Sequence, residues 1–176
     1  MYPIFSLAIV VVLTVIVYQD FKFRAVSWIL FPLLASMLVL ENIFIHALPL
    51  FVDFYLINFC FVAAQLCLIT LYLSIRNKKF IKIWDQHLGA GDILFFIILC
   101  LFFSPVNFLL FYIGSLLFTV IVVLLLKRSY VGIAVIPLAG IQSGLLAVLI
   151  ILSLFTKTLE FKNDPNLIIP LFDGRA

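Results

Sequence analysis

The chain is a series of apolar runs, each approaching the length that crosses a bilayer, parted by short clusters of charge. A hydrocarbon core about 30 Å thick needs roughly 20 helical residues at 1.5 Å each. Hydrophobic residues make up 66% of the 176, charged residues 11%, and mean hydropathy is +1.35. Soluble domains hold about half apolar and about a quarter charged residues, so the chain reads as an integral membrane protein. A transmembrane barrel would alternate polar and apolar residues in segments of about ten, and stretches such as 115–126 do not alternate. The expected fold class is an all-α polytopic membrane protein.

Six spans are predicted, at 3–19, 28–45, 50–75, 92–104, 107–126 and 133–156. The second is interrupted by Glu41 and Asn42, and the fourth is short unless it starts within the glycine-rich turn before it. The first run has no basic segment ahead of it and no small-residue cleavage site behind it, so it is expected to remain as a helix. The loops after spans one, three and five hold Lys22, Arg24, Arg76, Lys78, Lys79, Lys82, Lys127 and Arg128, eight of the eleven cations. By the positive-inside rule these loops are cytoplasmic and both termini lie on the other side. A membrane domain is expected over 1–156, with a short extracytoplasmic tail over 157–176 that contains Pro165 and Pro170. The net charge of +3 reflects the basic face, which suits anionic lipid head groups; nucleic-acid binding has no support.

Two carboxylates stand at the edge of this apolar sequence. Asp20 closes the first run, and Asp92, in Gly89-Ala90-Gly91-Asp92, opens the run 93–103. The predicted topology puts both at the cytoplasmic membrane face, where a charge is costly unless it has a function. Peptide hydrolysis without a covalent intermediate needs one carboxylate to take a proton from water and a second, protonated one to polarise the scissile carbonyl. Two aspartates held close supply both roles, because like charges in one poorly solvated site do not both ionise. Gly89 and Gly91 lack a Cβ, which would let the backbone take positive φ and let an extended peptide approach. The plainer readings are Asp92 as a helix N-cap and Asp20 as a helix-end charge paired with Lys22 or Arg24. Asp85, in the basic loop, is a solvated charge or a contact for a basic substrate segment, and Asp53 falls on the opposite face.

Other chemistries lack their parts. Cys60, Cys67 and Cys100 form no CxxC pair and read as small packing residues. His46 and His87 lie far apart in loops, and there is no Walker loop, HExxH or serine or cysteine nucleophile signature. No metal or other cofactor is called for. Gly140 and Gly144 form a GxxxG pair suited to close helix packing. Pro32 and Pro137 are candidate kinks, Pro105 separates spans four and five, and Gln65 and Gln142 are expected to bond between helices.

Gly89-Ala90-Gly91-Asp92 matches the GxGD motif of the type IV prepilin peptidases and preflagellin peptidases, membrane aspartyl proteases. Asp20 followed by Phe21-Lys22-Phe23-Arg24-Ala25-Val26 is similar to that family's first aspartate motif, and Ile136-Pro137-Leu138-Ala139-Gly140 resembles the Ile-Pro segment that starts its last core helix. Val26-Ser27-Trp28 stands where the family's first motif runs into Ile-Pro-Asn, and Ile93-Leu94 where a Lys often follows the GxGD. Larger members carry a cytoplasmic insertion with paired CxxC motifs and a methyltransferase activity; nothing in this sequence would encode that insertion, so a peptidase without methylation is expected.

The resemblance implies an aspartic endopeptidase of the inner (plasma) membrane with Asp20 and Asp92 catalytic and Gly89, Gly91 and Asp85 shaping the backbone or binding substrate. Its expected substrates are prepilins or pseudopilins, cut at the cytoplasmic face behind a short leader. The alternative is a non-enzymatic membrane protein, either a transporter using the two aspartates as proton or cation ligands or a degenerate assembly factor. No internal repeat favours a transporter.

Overall fold

A computed structural model of the chain describes residues 3–44, 48–78, 89–127 and 137–156, and among these it is all-helical. The helices are α1 (Pro3–Phe23), α2 (Leu30–Phe44), α3 (Leu48–Asn77), α4 (Ala90–Phe102), α5 (Pro105–Lys127) and α6 (Leu138–Thr156). Four contain segments long and apolar enough to cross a membrane: Ile4–Phe23, Val52–Asn77, Pro105–Leu125 and Leu138–Phe155. The other two fall short of the six full spans expected. Helix α2 has 15 residues and α4 has 13, so they rise only about 22 and 20 Å.

Local chemistry explains the breaks. Helix α4 starts inside the glycine-rich turn, at Ala90, and ends before Ser104-Pro105 because proline supplies no amide hydrogen to continue it. Asn58 of α3 donates to the carbonyls of Cys100 (3.3 Å) and Phe103 (2.9 Å), which α4 leaves open at its end. Pro105 then opens α5, where a missing amide hydrogen costs nothing. The same logic corrects the expected kinks. Pro32 lies in the first turn of α2 and Pro137 just ahead of α6, so both mark helix starts. Glu41 and Asn42 do not interrupt α2; both are helical and buried, and Asn42 Nδ2 donates to the Leu38 carbonyl at 2.7 Å. Helices α1 and α3 each end on a residue with positive φ, Arg24 (53°) and Lys78 (51°), the left-handed turn that closes many helices.

The ends of α1 and α3 and the starts of α2, α4 and α6 lie at one end of the bundle. Helices α1 and α6 run antiparallel and in close contact. A Cβ on Gly140 would lie 2.8 Å from Asp20 Oδ2, and one on Gly144 would lie 3.7 Å from Val17 Cγ2, so the GxxxG pair faces α1 as expected. Ile9, Leu13 and Ile16 of α1 and Ile150 of α6 fill the core with Leu34, Leu38, Phe95, Leu99 and Phe108. Cys100 packs in that core, whereas Cys60 and Cys67 are exposed on α3 and do not serve as packing residues; all three are free thiols. Gln142 bonds between helices as expected, donating to Ser115 Oγ of α5 at 3.2 Å, and Gln65 of α3 hydrogen-bonds Tyr112 of α5.

Candidate active site

Asp20 lies in the last turn of α1, three residues before its end at Phe23, and is 7% exposed. The helix continues to Phe23 because the Arg24 amide still reaches the Asp20 carbonyl, at 3.1 Å. Asp92 is the third residue of α4. Gly89 is the N-cap, so Asp92 does not cap the helix in the way the plainer reading supposes. Its Oδ2 instead reaches back to the Gly89 amide at 3.3 Å, one arm of a capping box; glycine has no side chain to return the other.

Each aspartate also makes a contact far along the chain, and both contacts end on α6. Gly140 donates its amide hydrogen to Asp20 Oδ2 at 2.5 Å, and Ala139 donates its own to Asp92 Oδ1 at 2.9 Å. Neither amide has a partner within its own helix, because both belong to the first turn. Since the donors are consecutive residues, the two accepting oxygens lie within about 9 Å of each other. The two carboxylates also interact electrostatically. The positive end of the α6 dipole offsets part of their mutual repulsion.

The surroundings separate the two candidate cations. Lys22 donates to the Tyr18 hydroxyl at 2.6 Å and lies 5.0 Å from the centre of that ring, whereas Arg24 acts electrostatically on Asp20. The Ser27 amide donates to Gln19 Oε1 at 2.8 Å, which ties the turn after α1 back to the helix. Exposed Tyr18, Phe23 and Trp28 ring this end of the bundle, the residue types that gather at a membrane interface.

Gly89 allows a close approach rather than an unusual backbone, and Gly91 faces Phe31 at ordinary contact distance. Gly89 is extended, with φ −67° and ψ 144°, and Gly91 lies within α4, so the expected positive φ is absent at both. A Cβ on Gly89 would lie 3.2 Å from Asp92 Oδ2, and one on Gly91 would meet the Phe31 ring at 3.6 Å. Asp53 is exposed on α3, many turns from the end of the bundle that holds Asp20 and Asp92. Asp85, His46, His87 and the tail 157–176 lie outside the described residues.

The amides of Ala139 and Gly140 were not singled out by the residue pattern, because backbone donors leave no mark in a sequence. The Ile-Pro-Leu-Ala-Gly segment gave the one available signal: a proline at a helix start followed by a glycine in its first turn. In comparisons with known proteins, no family model, no curated protein and no solved structure matches the chain.

Proposed function

We propose that this protein is a membrane aspartic endopeptidase of the prepilin peptidase type, with Asp20 and Asp92 as its catalytic dyad. The observation that carries this reading is the pair of adjacent α6 amides, Ala139 and Gly140, each holding one of the two carboxylates. In the proposed reaction one carboxylate takes a proton from water while the other, protonated, polarises the scissile carbonyl. The oxygen of that water goes to the carbonyl carbon, and the departing nitrogen receives a proton. The pair titrates as a unit, so acid and base are not assigned singly.

The proposed topology has six membrane helices, the two short ones included, with both termini outside and the dyad at the cytoplasmic face of the inner membrane. Lys22, Arg24, Arg76 and Lys78 at the dyad end of α1 and α3 support that orientation. The proposed substrates are prepilins or pseudopilins, whose leader would lie in the cytoplasm beside an apolar helix held in the membrane.

The test is co-expression with a prepilin-like substrate, read as a mobility shift with N-terminal sequencing. Wild type should cut at one site, and Asp20→Asn and Asp92→Asn should each lower cutting by at least roughly 1,000-fold, the scale seen when an essential catalytic group is removed. Full activity in either folded variant would sink the dyad. No cutting by well-expressed wild type across several substrates would favour the transporter or assembly-factor reading.

A further inference from the structure

A buried polar chain runs across α3, α5 and α6 from Gln142, which lies within one helical turn of the α6 amides that hold Asp20 and Asp92, and the proposed reaction makes no direct use of it. Gln142, two residues along α6 from Gly140, is completely buried and donates from Nε2 to Ser115 Oγ at 3.2 Å. Ser115 Oγ donates to the Tyr112 carbonyl at 3.0 Å, and Gln65 hydrogen-bonds the Tyr112 side chain. The rings of Phe61, Phe96 and Phe108 pack around Tyr112 with centroids 6.1, 5.2 and 5.4 Å away.

Two acceptors in this chain are left over. Gln142 Oε1 and Gln65 Oε1 are both buried, and neither has a donor among the described residues. A buried carbonyl oxygen without a donor is destabilising, and leucine or methionine would fill either position without that cost. Joining α5 to α6 needs only the Nε2 end of Gln142, so the bond to Ser115 does not account for the oxygen.

We propose that Gln142 and Gln65, at the two ends of this polar chain, bind internal water between α3, α5 and α6, with the Gln142 end next to the α6 amides that hold the two aspartates. Water is the ligand that fits the chemistry: it is neutral, it carries two donors, and buried waters bind where polar groups lack partners. A divalent cation would need about six oxygen ligands, several of them charged, and the leftover acceptors are two neutral amide oxygens.

Gln142 is about 3 Å of helical rise from the amide that holds Asp20. Water stored here would therefore stand next to a reaction that consumes one molecule per bond cut. That use rests on the peptidase reading; the binding of water does not.

Hydroxyl-radical labelling by X-ray pulses tests the proposal on the full chain in lipid nanodiscs, with mass spectrometry as readout, because radicals formed from bound water mark the side chains beside it. Tyr112, only 3% exposed, should be labelled in wild type. Gln142→Leu and Gln65→Leu should each lower that labelling severalfold while Tyr18, exposed near the end of α1, stays as in wild type. An unlabelled Tyr112 in wild type would overturn the proposal without reference to any variant. Equal labelling of Tyr112 in wild type and in either folded variant would also overturn it. Labelling of Tyr112 in a wild-type chain that cuts no substrate would keep the water site and remove the peptidase reading.

Discussion

Helices α1 and α6 meet backbone to backbone, whereas α3 is held to the bundle by side chains. Along α1–α6, Gly140 removes the side chain that would keep the helices apart and leaves just enough room for the Asp20 carboxylate to reach its amide, while Gly144 faces Val17 one turn on. Between Val52 and Asn77, by contrast, α3 buries only Asn58 and Val62 and turns Leu56, Leu68, Tyr72 and Ile75 outward. Lipid is as apolar as leucine, so burial against the bundle gives such a helix little hydrophobic advantage. The comparison teaches where precision is needed: the seam that positions two charges is closely fitted, and the helix that contributes mainly surface is not.

The strongest way to break that contrast is to put a methyl group into the seam. A Cβ at position 140 would stand 2.8 Å from Asp20 Oδ2, closer than real Cβ contacts come, and 3.0 and 3.1 Å from Asp20 Cβ and Phe21 Cδ2, tighter than most. Gly140→Ala should destabilise the protein by about 1–3 kcal/mol, the usual cost of overpacking. It should also lower cleavage by roughly 100-fold, the effect of moving a catalytic group by about 1 Å. At position 144 the nearest atom is 3.7 Å away, an ordinary contact, so Gly144→Ala should leave cleavage unchanged and stability within about 0.5 kcal/mol of wild type or above it. Cleavage rates and unfolding in detergent would measure both. Equal losses from the two substitutions would mean that the seam tolerates a methyl group no better away from Asp20 than beside it.

A smaller effect is expected from the α3 side. Asn58→Leu removes both bonds to the end of α4 and leaves the Cys100 and Phe103 carbonyls in apolar surroundings. The expected loss is about 1 kcal/mol, since hydrogen bonds between membrane helices average less than those in water-soluble cores. Cleavage at low temperature should persist, because the dyad is held by α1, α4 and α6. Loss of cleavage in a folded Asn58→Leu variant would show that α3 does help to set the site.

Much of this contrast could be read in the sequence, and the unread part has a common cause. Long apolar runs and charged breaks locate α1, α3, α5 and α6, because the bilayer imposes a length on each. The short helices were harder: the ends of α2 and α4 depend on local chemistry at Ser27-Trp28 and Ser104-Pro105 and not on a membrane thickness. Asp20 and Asp92 stood out because charge is scarce in such a chain, and the structure brings both to one helix end. What joins them there is a pair of backbone amides, which every residue but proline possesses and no residue pattern marks. The glycines were legible as special positions, but their work is to admit a neighbour rather than to turn the chain.

The smallest expected effect compares the two helix caps, one in each region. Arg24 after α1 and Lys78 after α3 both hold positive φ, 53° and 51°, which costs a residue with a Cβ about 1 kcal/mol. Glycine pays none of that strain, so Lys78→Gly should raise stability by several tenths to about 1 kcal/mol, measured as a higher apparent Tm in detergent. Arg24→Gly relieves the same strain but removes the cation that acts on Asp20. Its gain should therefore be smaller, or turn into a loss. Equal shifts in the two variants would show that the Arg24 charge has no hold on Asp20, and that the α1 cap differs from the α3 cap only in its position.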